Sequence, residues 1–188
     1  LVPCRNEAAT VAAVVEAFRA SLPAAACHVF DNLSVDDTAA LARAAGAAVH
    51  PVALRGKGNV VRRAFADIEA DVYVMVDGDA TYDAAAAPVL VRRLLDEGLD
   101  MVVGARVDRE RAAYRAGHRF GNRLLTRCVG VLFGDSFEDM LSGYRVFSRR
   151  YVKSFPAHAS GFEIETELAV HALQLRMPVA EVATAYGA

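Results

Sequence analysis

Apolar runs alternate with helical patterns along most of the 188-residue chain. The apolar runs are "LVP", "CHVFD", "VHPVAL" and "VYVMV". Between them, apolar residues recur at helical spacing over residues 11–22, 35–45 and 59–69. This β-α-β-α-β-α-β order predicts an α/β fold with a mostly parallel sheet and helices on both faces.

The second half continues the alternation with one charged interruption. Residues 84–97 are predicted to be helical and to end at Gly98, and "DMVVGAR" is predicted to be a fifth strand. The charged residues 107–117 predict a surface loop or lid, and 118–133 a helix. The segment "GDSFEDMLSGYRVFSRR" is assigned no element, and a helix over 162–176 and a last strand "PVAEVAT" follow.

Two helix starts have recognisable capping residues. Ser34 and Asp37 have the spacing of a capping box before the helix at 35–45. Asp83 is predicted to be the N-cap of the helix at 84–97.

Composition limits the classes of protein that the chain can represent. Hydrophobic residues make up 54 % of the chain and the mean hydropathy is +0.22, yet no run approaches the roughly 18 apolar residues that span a bilayer. We therefore expect one soluble domain over residues 1–188, and the start inside a strand without Met predicts that both ends are trimmed. The net charge of -2 gives no general attraction to nucleic acid. Three widely spaced cysteines (Cys4, Cys27 and Cys128) fit neither a disulfide framework nor a zinc site, so a reducing cytoplasmic setting is expected.

Polar clusters follow all five of the first predicted strands. They are "PCRNE" (3–7), "DNLSVDD" (31–37), "RGKG" (55–58), "DGDATYD" (77–83) and "GAR" (104–106). In open parallel sheets, ligands bind beyond the carboxyl ends of the strands. The pattern therefore predicts a single ligand-binding edge.

The aspartates of "DGDATYD" indicate a metal site. A calcium-binding EF-hand loop starting at Asp77 is excluded, because its glycine position holds Tyr82 and its final glutamate position holds Pro88. Close carboxylates repel one another unless a cation or hydrogen-bond donors offset the charge. Asp77 and Asp79 lie on the same side of an extended chain, so both can reach one Mg²⁺ or Mn²⁺ ion that also binds phosphate oxygens.

Two further residues are candidates for nucleotide contacts, each with an ordinary alternative. Asp31, at a strand end, can accept hydrogen bonds from a base or ribose, and it can equally be a loop residue. Lys57 and the backbone amides of "GKG" lie near a helix start, which favours phosphate, although a lone lysine is most often a surface residue. The chain has neither a P-loop nor a G-x-G-x-x-G pattern.

The ordered set "VPCRNE", "DNLSVDDT", "GKGNVVRRAF", "DGDATYD", "GAR", "SGYRVFSRR" and "GFEIETEL" resembles the family 2 glycosyltransferases with the GT-A fold. It is most similar to the polyprenyl-phosphate sugar synthase branch, which includes dolichol-phosphate mannosyltransferase. The resemblance implies an inverting hexose transfer from a nucleotide-diphosphate sugar, with Mg²⁺ or Mn²⁺, to a polyprenyl phosphate or to a glycan or lipid hydroxyl. A lipid acceptor would place the protein at the inner face of the membrane.

The resemblance also implies roles for individual residues. Arg106 would meet phosphate, Asp79 would bind the metal, and Asp77 would face the metal or ribose. Asp139 would be the general base if the acceptor is a hydroxyl. The nucleoside pocket would be lined by Pro3, Arg5, Asn6, Glu7 and Asp31 with Lys57 nearby, the acceptor side by Asp139, Ser142 and Arg145, while Glu163 and Glu165 can as well be structural.

The sequence departs from the family pattern at two positions. Asn32 replaces a carboxylate of the common "DDGS", so a base preference cannot be carried over. Thr81 replaces a glutamine frequent in the polyprenyl-phosphate branch, which weakens the case for that acceptor class.

Alternatives remain open for the charged segment and for the function. The basic residues Arg109, Arg111, Arg115, His118, Arg119 and Arg123 would attract a phosphate-bearing acceptor or an anionic membrane, or would simply form a solvated face. One rival function is a sugar-phosphate nucleotidyltransferase, against which the absence of glycine from "PCRNEAAT" argues. The other rival is a protein that binds nucleotide sugars without turnover.

Overall fold

The protein, represented by a computed structural model, is described over residues 1–108, 137 and 139–187. Its strands are β1 (Val2–Cys4), β2 (His28–Asp31), β3 (Ala48–Pro51), β4 (Val72–Met75), β5 (Met101–Asp108), β6 (Arg145–Ser148) and β7 (Val179–Tyr186). Its helices are α1 (Val11–Ser21), α2 (Thr38–Ala44), α3 (Lys57–Asp67), α4 (Ala87–Asp96), α5 (Arg149–Ser154) and α6 (Ile164–Gln174), with a 3-10 turn at Ala84–Ala86. The loop predicted at 107–117 begins later than expected, because residues 107 and 108 belong to β5. The rest of that loop and the helix predicted at 118–133 lie outside the described residues.

The strands form a mixed sheet in which β6 alone, among those described, runs against its neighbours. β1, β2 and β3 pair in parallel, and β4, β6, β5 and β7 follow in that order. The Leu1 nitrogen donates to the Val74 carbonyl at 2.6 Å, and the Val76 amide donates to the Leu1 carbonyl at 3.1 Å. These bonds join the two groups at the edge between β1 and β4, so the order across the sheet is 3-2-1-4-6-5-7. The prediction of a mostly parallel α/β sheet is confirmed, whereas β6 and α5 were not predicted.

The core lies on both faces of the sheet, as the Ala- and Val-rich strands predict. Along β5, Val102 packs into one cluster with α1 and α4, while Met101 and Val103 pack into the other with α3, α5 and α6. This alternation is the direct result of the two-residue period of a strand. In the described part of the chain, no helix is both long and apolar enough to cross a bilayer.

Two of the three predicted helix-end assignments are confirmed. The Asp83 carboxylate accepts a hydrogen bond from the Ala85 amide at 2.9 Å, and Gly98 has φ +62° directly after α4. A positive φ is the conformation that glycine adopts most readily beyond a helix end.

The capping box predicted at Ser34 and Asp37 is wrong. The helix begins at Thr38 rather than directly after Ser34, and the Ser34 hydroxyl accepts instead from the Asn6 amide at 2.9 Å. The Thr38 amide donates to Asp36 at 3.1 Å. The Ser34 side chain, which the local sequence pattern assigned to the helix cap, therefore bonds to a different loop.

Candidate active site

A cavity of about 520 Å³ lies where the loops after β1, β2, β3 and β4 meet. This is the carboxyl edge of the parallel strands, where the sequence predicts a ligand site. The volume is in the range of small-molecule sites. Six of the predicted site residues line the cavity: Pro3, Arg5, Glu7, Lys57, Asp77 and Asp79. Seven others line it as well: Cys4, Asn32, Arg55, Gly56, Val60, Gly78 and Phe162.

Asn6 holds two loops together and is absent from the cavity wall. Its amide donates to the Ser34 hydroxyl, and its side-chain oxygen accepts from the Val35 amide at 2.9 Å. Asn6 also has φ +56°, a left-handed conformation that asparagine tolerates better than most residues. Its predicted nucleoside contact therefore gives way to a structural role, in which the loop after β1 is fixed against the loop after β2.

Asn32 has a similar role between the second and third loops. Its buried side-chain amide donates to the carbonyls of Val52 and Leu54 at 3.0 and 2.8 Å, and its oxygen accepts from the Gly56 amide at 2.7 Å. A carboxylate cannot donate these two bonds. The departure from "DDGS" is therefore tied to the position of the third loop.

Asp31, the last residue of β2, has a buried carboxylate oxygen that lacks a partner. In the described part of the chain, no donor bonds to its Oδ1 atom. Leaving a buried acceptor without a hydrogen bond costs about 1–3 kcal/mol. This oxygen is shielded from solvent, and Asp31 is not among the residues that line the cavity.

Lys57 lies in a buried ion-pair cluster. Its ammonium group is 2.5 Å from Oδ1 of Asp77 and 2.6 Å from Oε1 of Glu165. Burial by itself lowers the pKa of Lys57, but the two carboxylates outweigh it and the pKa lies above its ordinary value of 10.5. The lysine is therefore charged and shared between the aspartate loop and the last helix.

The start of α3 is closed by another loop. The amides of Gly58 and Asn59 donate to the carbonyls of Gly161 and Ser160 at 3.1 and 3.3 Å. A Cβ atom on Gly58 would lie 2.2 Å from the Ala159 carbonyl oxygen, so only glycine permits this approach. Of the amides of "GKG", that of Gly58 is occupied by the loop at 159–161 and that of Gly56 by the Asn32 side chain, so these two are not open to phosphate in this structure.

Asp77 and Asp79 face different partners. Asp77 is bound to Lys57, whereas Asp79 is exposed, and its Oδ1 atom accepts from the Thr81 amide and hydroxyl at 3.1 and 2.6 Å. The second oxygen of Asp79 has no hydrogen-bond partner among the described residues. Asp79 is therefore the exposed carboxylate of the two, and it has one oxygen available to a ligand.

The carboxylate oxygens of the cavity suit a divalent cation that takes few ligands from the protein and completes its shell with other molecules. Burial raises the pKa of Glu7, and repulsion by Asp79 and then Asp77 adds to the shift, so the carboxylates on this side of the cavity repel one another. Among residues 1–108, 137 and 139–187, no three histidine, cysteine or carboxylate side chains converge as a complete metal site. Mg²⁺ commonly binds one or two carboxylates and completes its shell with phosphate and water, which agrees with Asp79 as the protein ligand.

Arg106 and Asp139 form a two-pronged ion pair outside this cavity. The Nε and Nη2 atoms of Arg106 donate to the two oxygens of Asp139 at 2.7 and 2.8 Å, and the guanidinium lies 5.3 Å from the centre of the Tyr186 ring. Bidentate pairs of this kind are strong and directional. The predicted phosphate contact and the predicted general base therefore neutralise each other in this state.

Two predicted acceptor residues are buried inside the protein. The Ser142 hydroxyl donates to the Gly104 carbonyl at 2.6 Å. Arg145 is fully buried, and its guanidinium donates to the carbonyls of Met140, Ser142 and Glu165. The prediction that Arg145 contacts an acceptor is wrong, since it is enclosed where it joins the loop before β6 to the start of α6.

The two glutamates of "GFEIETEL" have structural contacts, as one of the two interpretations predicted. Glu163 accepts from the amides of Ser160 and Gly161 at 3.2 and 2.9 Å, and Glu165 binds Lys57. The basic residues Arg109, Arg111, Arg115, His118, Arg119 and Arg123 lie outside the described residues.

Sequence reasoning missed Tyr82 and Phe162. The buried Tyr82 hydroxyl accepts from the Gly143 amide at 2.8 Å and so joins the aspartate loop to the loop before β6. Phe162 lines the cavity with 78 % of its surface exposed. The sequence signal for both residues is an aromatic side chain inside a polar loop motif.

Comparison with known proteins gives a consistent result. The family model described as glycosyl transferase family 2 matches residues 1–155. The chain is 39 % identical to the glycosyltransferase AglJ of Haloferax volcanii over 188 residues, which cover 99 % of this chain and 61 % of AglJ. It is 52 % identical to the protein RfbJ of Shigella flexneri over 120 residues, 63 % of this chain and 93 % of RfbJ.

Solved structures show the same fold. The crystal structure of Mycobacterium tuberculosis glucosyl-3-phosphoglycerate synthase superposes with a TM-score of 0.80 at 28 % identity, over 100 % of this chain and 70 % of that one. A structure of that enzyme with Mn²⁺, uridine diphosphate and phosphoglyceric acid gives a TM-score of 0.80 at 25 % identity, over 100 % and 69 % of the two chains. These similarities extend over the whole aspartate-bearing edge of the sheet.

Proposed function

The chain belongs to glycosyl transferase family 2, and from this premise we propose that it is an inverting hexosyltransferase whose donor, a nucleotide-diphosphate sugar, occupies the cavity beside Asp79. The observation that carries the proposal is the composition of this one cavity. Arg5 and Arg55 line it together with an exposed carboxylate that has an oxygen to spare. A diphosphate accompanied by a divalent cation matches both signs of charge.

The nucleoside is assigned to the side of the cavity formed by the loops after β1, β2 and β3. The Asp31 carboxylate, partly exposed at the end of β2, would accept a hydrogen bond from the base or the ribose. Pro3 and Arg5 would form the adjoining wall. Lys57 would act through Asp77, which it holds in place beside the diphosphate.

A Mg²⁺ or Mn²⁺ ion is the proposed partner of Asp79. The related synthase binds Mn²⁺ or Mg²⁺ together with uridine diphosphate. When bound, such an ion stabilises the negative charge that develops on the leaving diphosphate. The protein's contribution is to hold one oxygen of the Asp79 carboxylate through Thr81, which would leave the other oxygen to bind the ion.

The acceptor is assigned to the side of Arg106 and Asp139. In the proposed reaction, an acceptor oxygen forms a bond to the anomeric carbon while the bond from that carbon to the diphosphate oxygen breaks. The diphosphate departs with the electron pair. An anionic acceptor, such as a polyprenyl phosphate at the inner face of the membrane, would compete with Asp139 for the Arg106 guanidinium. A hydroxyl acceptor would give its proton to Asp139 once that carboxylate leaves the ion pair.

The decisive experiment is a panel of nucleotide sugars, each with Mg²⁺ or Mn²⁺ and each with chelator. Binding is scored by thermal shift, and turnover by release of nucleoside diphosphate. We expect metal-dependent stabilisation by at least one donor, and we expect Asp79→Asn to abolish it without lowering the melting temperature of the free protein. Asp96→Asn, an exposed carboxylate on α4, is the matched control and should behave as wild type. No metal-dependent donor binding by the wild type would refute the proposal.

A further inference from the structure

Phe162 places a solvent-exposed apolar ring beside a polar cavity. Its surface is 78 % exposed, and the ring forms part of the cavity wall with Arg55, Lys57 and Asp79. Removing the surface of a phenylalanine side chain from water is favourable. A ring that lines a binding cavity without being covered therefore has stabilisation to gain from a ligand.

The backbone on both sides of Phe162 is fixed. Gly161 accepts from the Gly58 amide at 3.1 Å and donates to the Glu163 carboxylate at 2.9 Å. The Phe162 carbonyl accepts from the Glu165 amide at 3.3 Å. The ring therefore stands on an anchored loop, which lowers the entropic cost of using it as a contact.

The contacts of this loop connect Phe162 to the side of the cavity to which the nucleoside is assigned. Gly161 is bound to the start of α3, and Gly56, just before that helix, is bound to Asn32. Asn32 directly follows Asp31, which has the unpartnered oxygen. The pair Arg106 and Asp139 is not part of this cavity wall. An occupant that touches Phe162 thus lies near the ends of β2 and β3.

We infer that Phe162 supplies an aromatic face on which the planar base of the donor nucleotide stacks. The inference rests on the proposed function, since it names a residue that holds the donor. Every nucleobase has a π-face, and its stacking on an aromatic side chain tolerates differences between bases. Phe162 therefore contributes affinity for the nucleoside, while polar groups such as Asp31 select the base.

The absence of tryptophan from the chain makes a direct test possible. Phe162→Trp introduces a single tryptophan at the cavity wall, and stacking of a base on its indole should quench its fluorescence. Uridine diphosphate and guanosine diphosphate, each with Mg²⁺, are titrated against this variant. Leu95→Trp, at an exposed position on α4, is the matched control and should show no saturable change. Saturable quenching in the first variant alone supports the inference.

Affinity measurements on two further variants separate the aromatic face from the apolar surface. Phe162→Ala should weaken binding of the nucleoside diphosphate about tenfold, the loss that removal of one stacking partner typically causes. Phe162→Tyr should stay within about twofold of wild type, because it keeps the ring. Inorganic pyrophosphate with Mg²⁺ has no base, so its affinity should be the same for all three proteins. Both variants should have the same melting temperature as the wild type, since the side chain is exposed.

Calorimetric titration of the wild type and of Phe162→Ala distinguishes a failure of the proposed function from a failure of this inference. If the wild type binds no nucleoside diphosphate, both the proposed function and this inference are refuted. If the wild type binds but Phe162→Ala binds equally well, the inference alone is overturned. The inference is also overturned if Phe162→Ala weakens the binding of the nucleotide sugar but not that of the free nucleoside diphosphate, because the ring would then contact the sugar.

Discussion

Replacement of Lys57 by methionine would remove the only cation that the described structure places between Asp77 and Glu165. The exposed fractions of the three side chains are 8 %, 26 % and 12 %, so water can do little to replace the lysine around Glu165 and somewhat more around Asp77. Methionine keeps most of the apolar stem and removes the charge. The perturbation is therefore mainly electrostatic.

The expected magnitude depends on the burial of this cluster. Removing one partner of a buried ion pair costs about 3–5 kcal/mol, because a charge is left uncompensated. The partial exposure of Asp77 favours the lower end, so we expect a loss of about 3 kcal/mol in the free energy of unfolding. For a chain of this length, that loss lowers the melting temperature by roughly 6–12 °C.

Unfolding in urea without ligand, followed by circular dichroism, measures the loss. Arg63→Met removes an exposed pair with Asp67 on α3 and serves as the control, with an expected change below about 0.5 kcal/mol. In the Lys57→Met background, Glu165→Gln should recover stability, since it removes the uncompensated charge. The reasoning is refuted if Lys57→Met costs no more than Arg63→Met, or if Glu165→Gln destabilises the double variant further.

Two other changes test the loop contacts and the buried histidine. Asn32→Asp removes both donors to the carbonyls of Val52 and Leu54, and should lower the free energy of unfolding by about 2–4 kcal/mol; an unchanged melting temperature would contradict this. Burial lowers the pKa of His171 below its ordinary value of 6.5 beside the Ser154 hydroxyl, with Glu167 opposing the shift. The unfolded chain then binds the proton more readily, so stability should fall as the pH is lowered through and below about 6.5. His171→Gln should flatten the dependence of the melting temperature on pH between about 7.5 and 5.5, and an equally steep dependence would exclude His171 as its source.

The aspartate-bearing edge could be predicted because it depends on local order. Apolar periodicity gives the strands, parallel connection gives a common carboxyl edge, and the polar clusters at 3–7, 55–58 and 77–83 then meet at one cavity. The cap at Asp83 and the turn at Gly98 are equally local, and both are confirmed.

The partners of the charged residues could not be predicted in the same way. Lys57 and Glu165 are separated by 108 positions, and Arg106 and Asp139 by 33. No periodicity indicates which distant carboxylate reaches which cation. The capping box failed for a related reason, because Ser34 is recruited by Asn6 from another loop. Family resemblance names residues of a site, while packing decides whether each faces a ligand or another part of the chain.

Strand β6 runs opposite to the strands on either side of it. The loop that leaves β4 reaches the ligand edge. Because β6 runs the other way, the loop that enters β6 reaches the same edge. Residues 139–144 therefore lie at the ligand edge, whereas α5 begins at the other end of the strand and at the opposite edge of the sheet. Gly143 donates to the Tyr82 hydroxyl, and Arg145 binds the carbonyls of Met140 and Ser142. The loop that enters the reversed strand is therefore part of the folded core, and a change in its sequence would be transmitted directly to the aspartate loop.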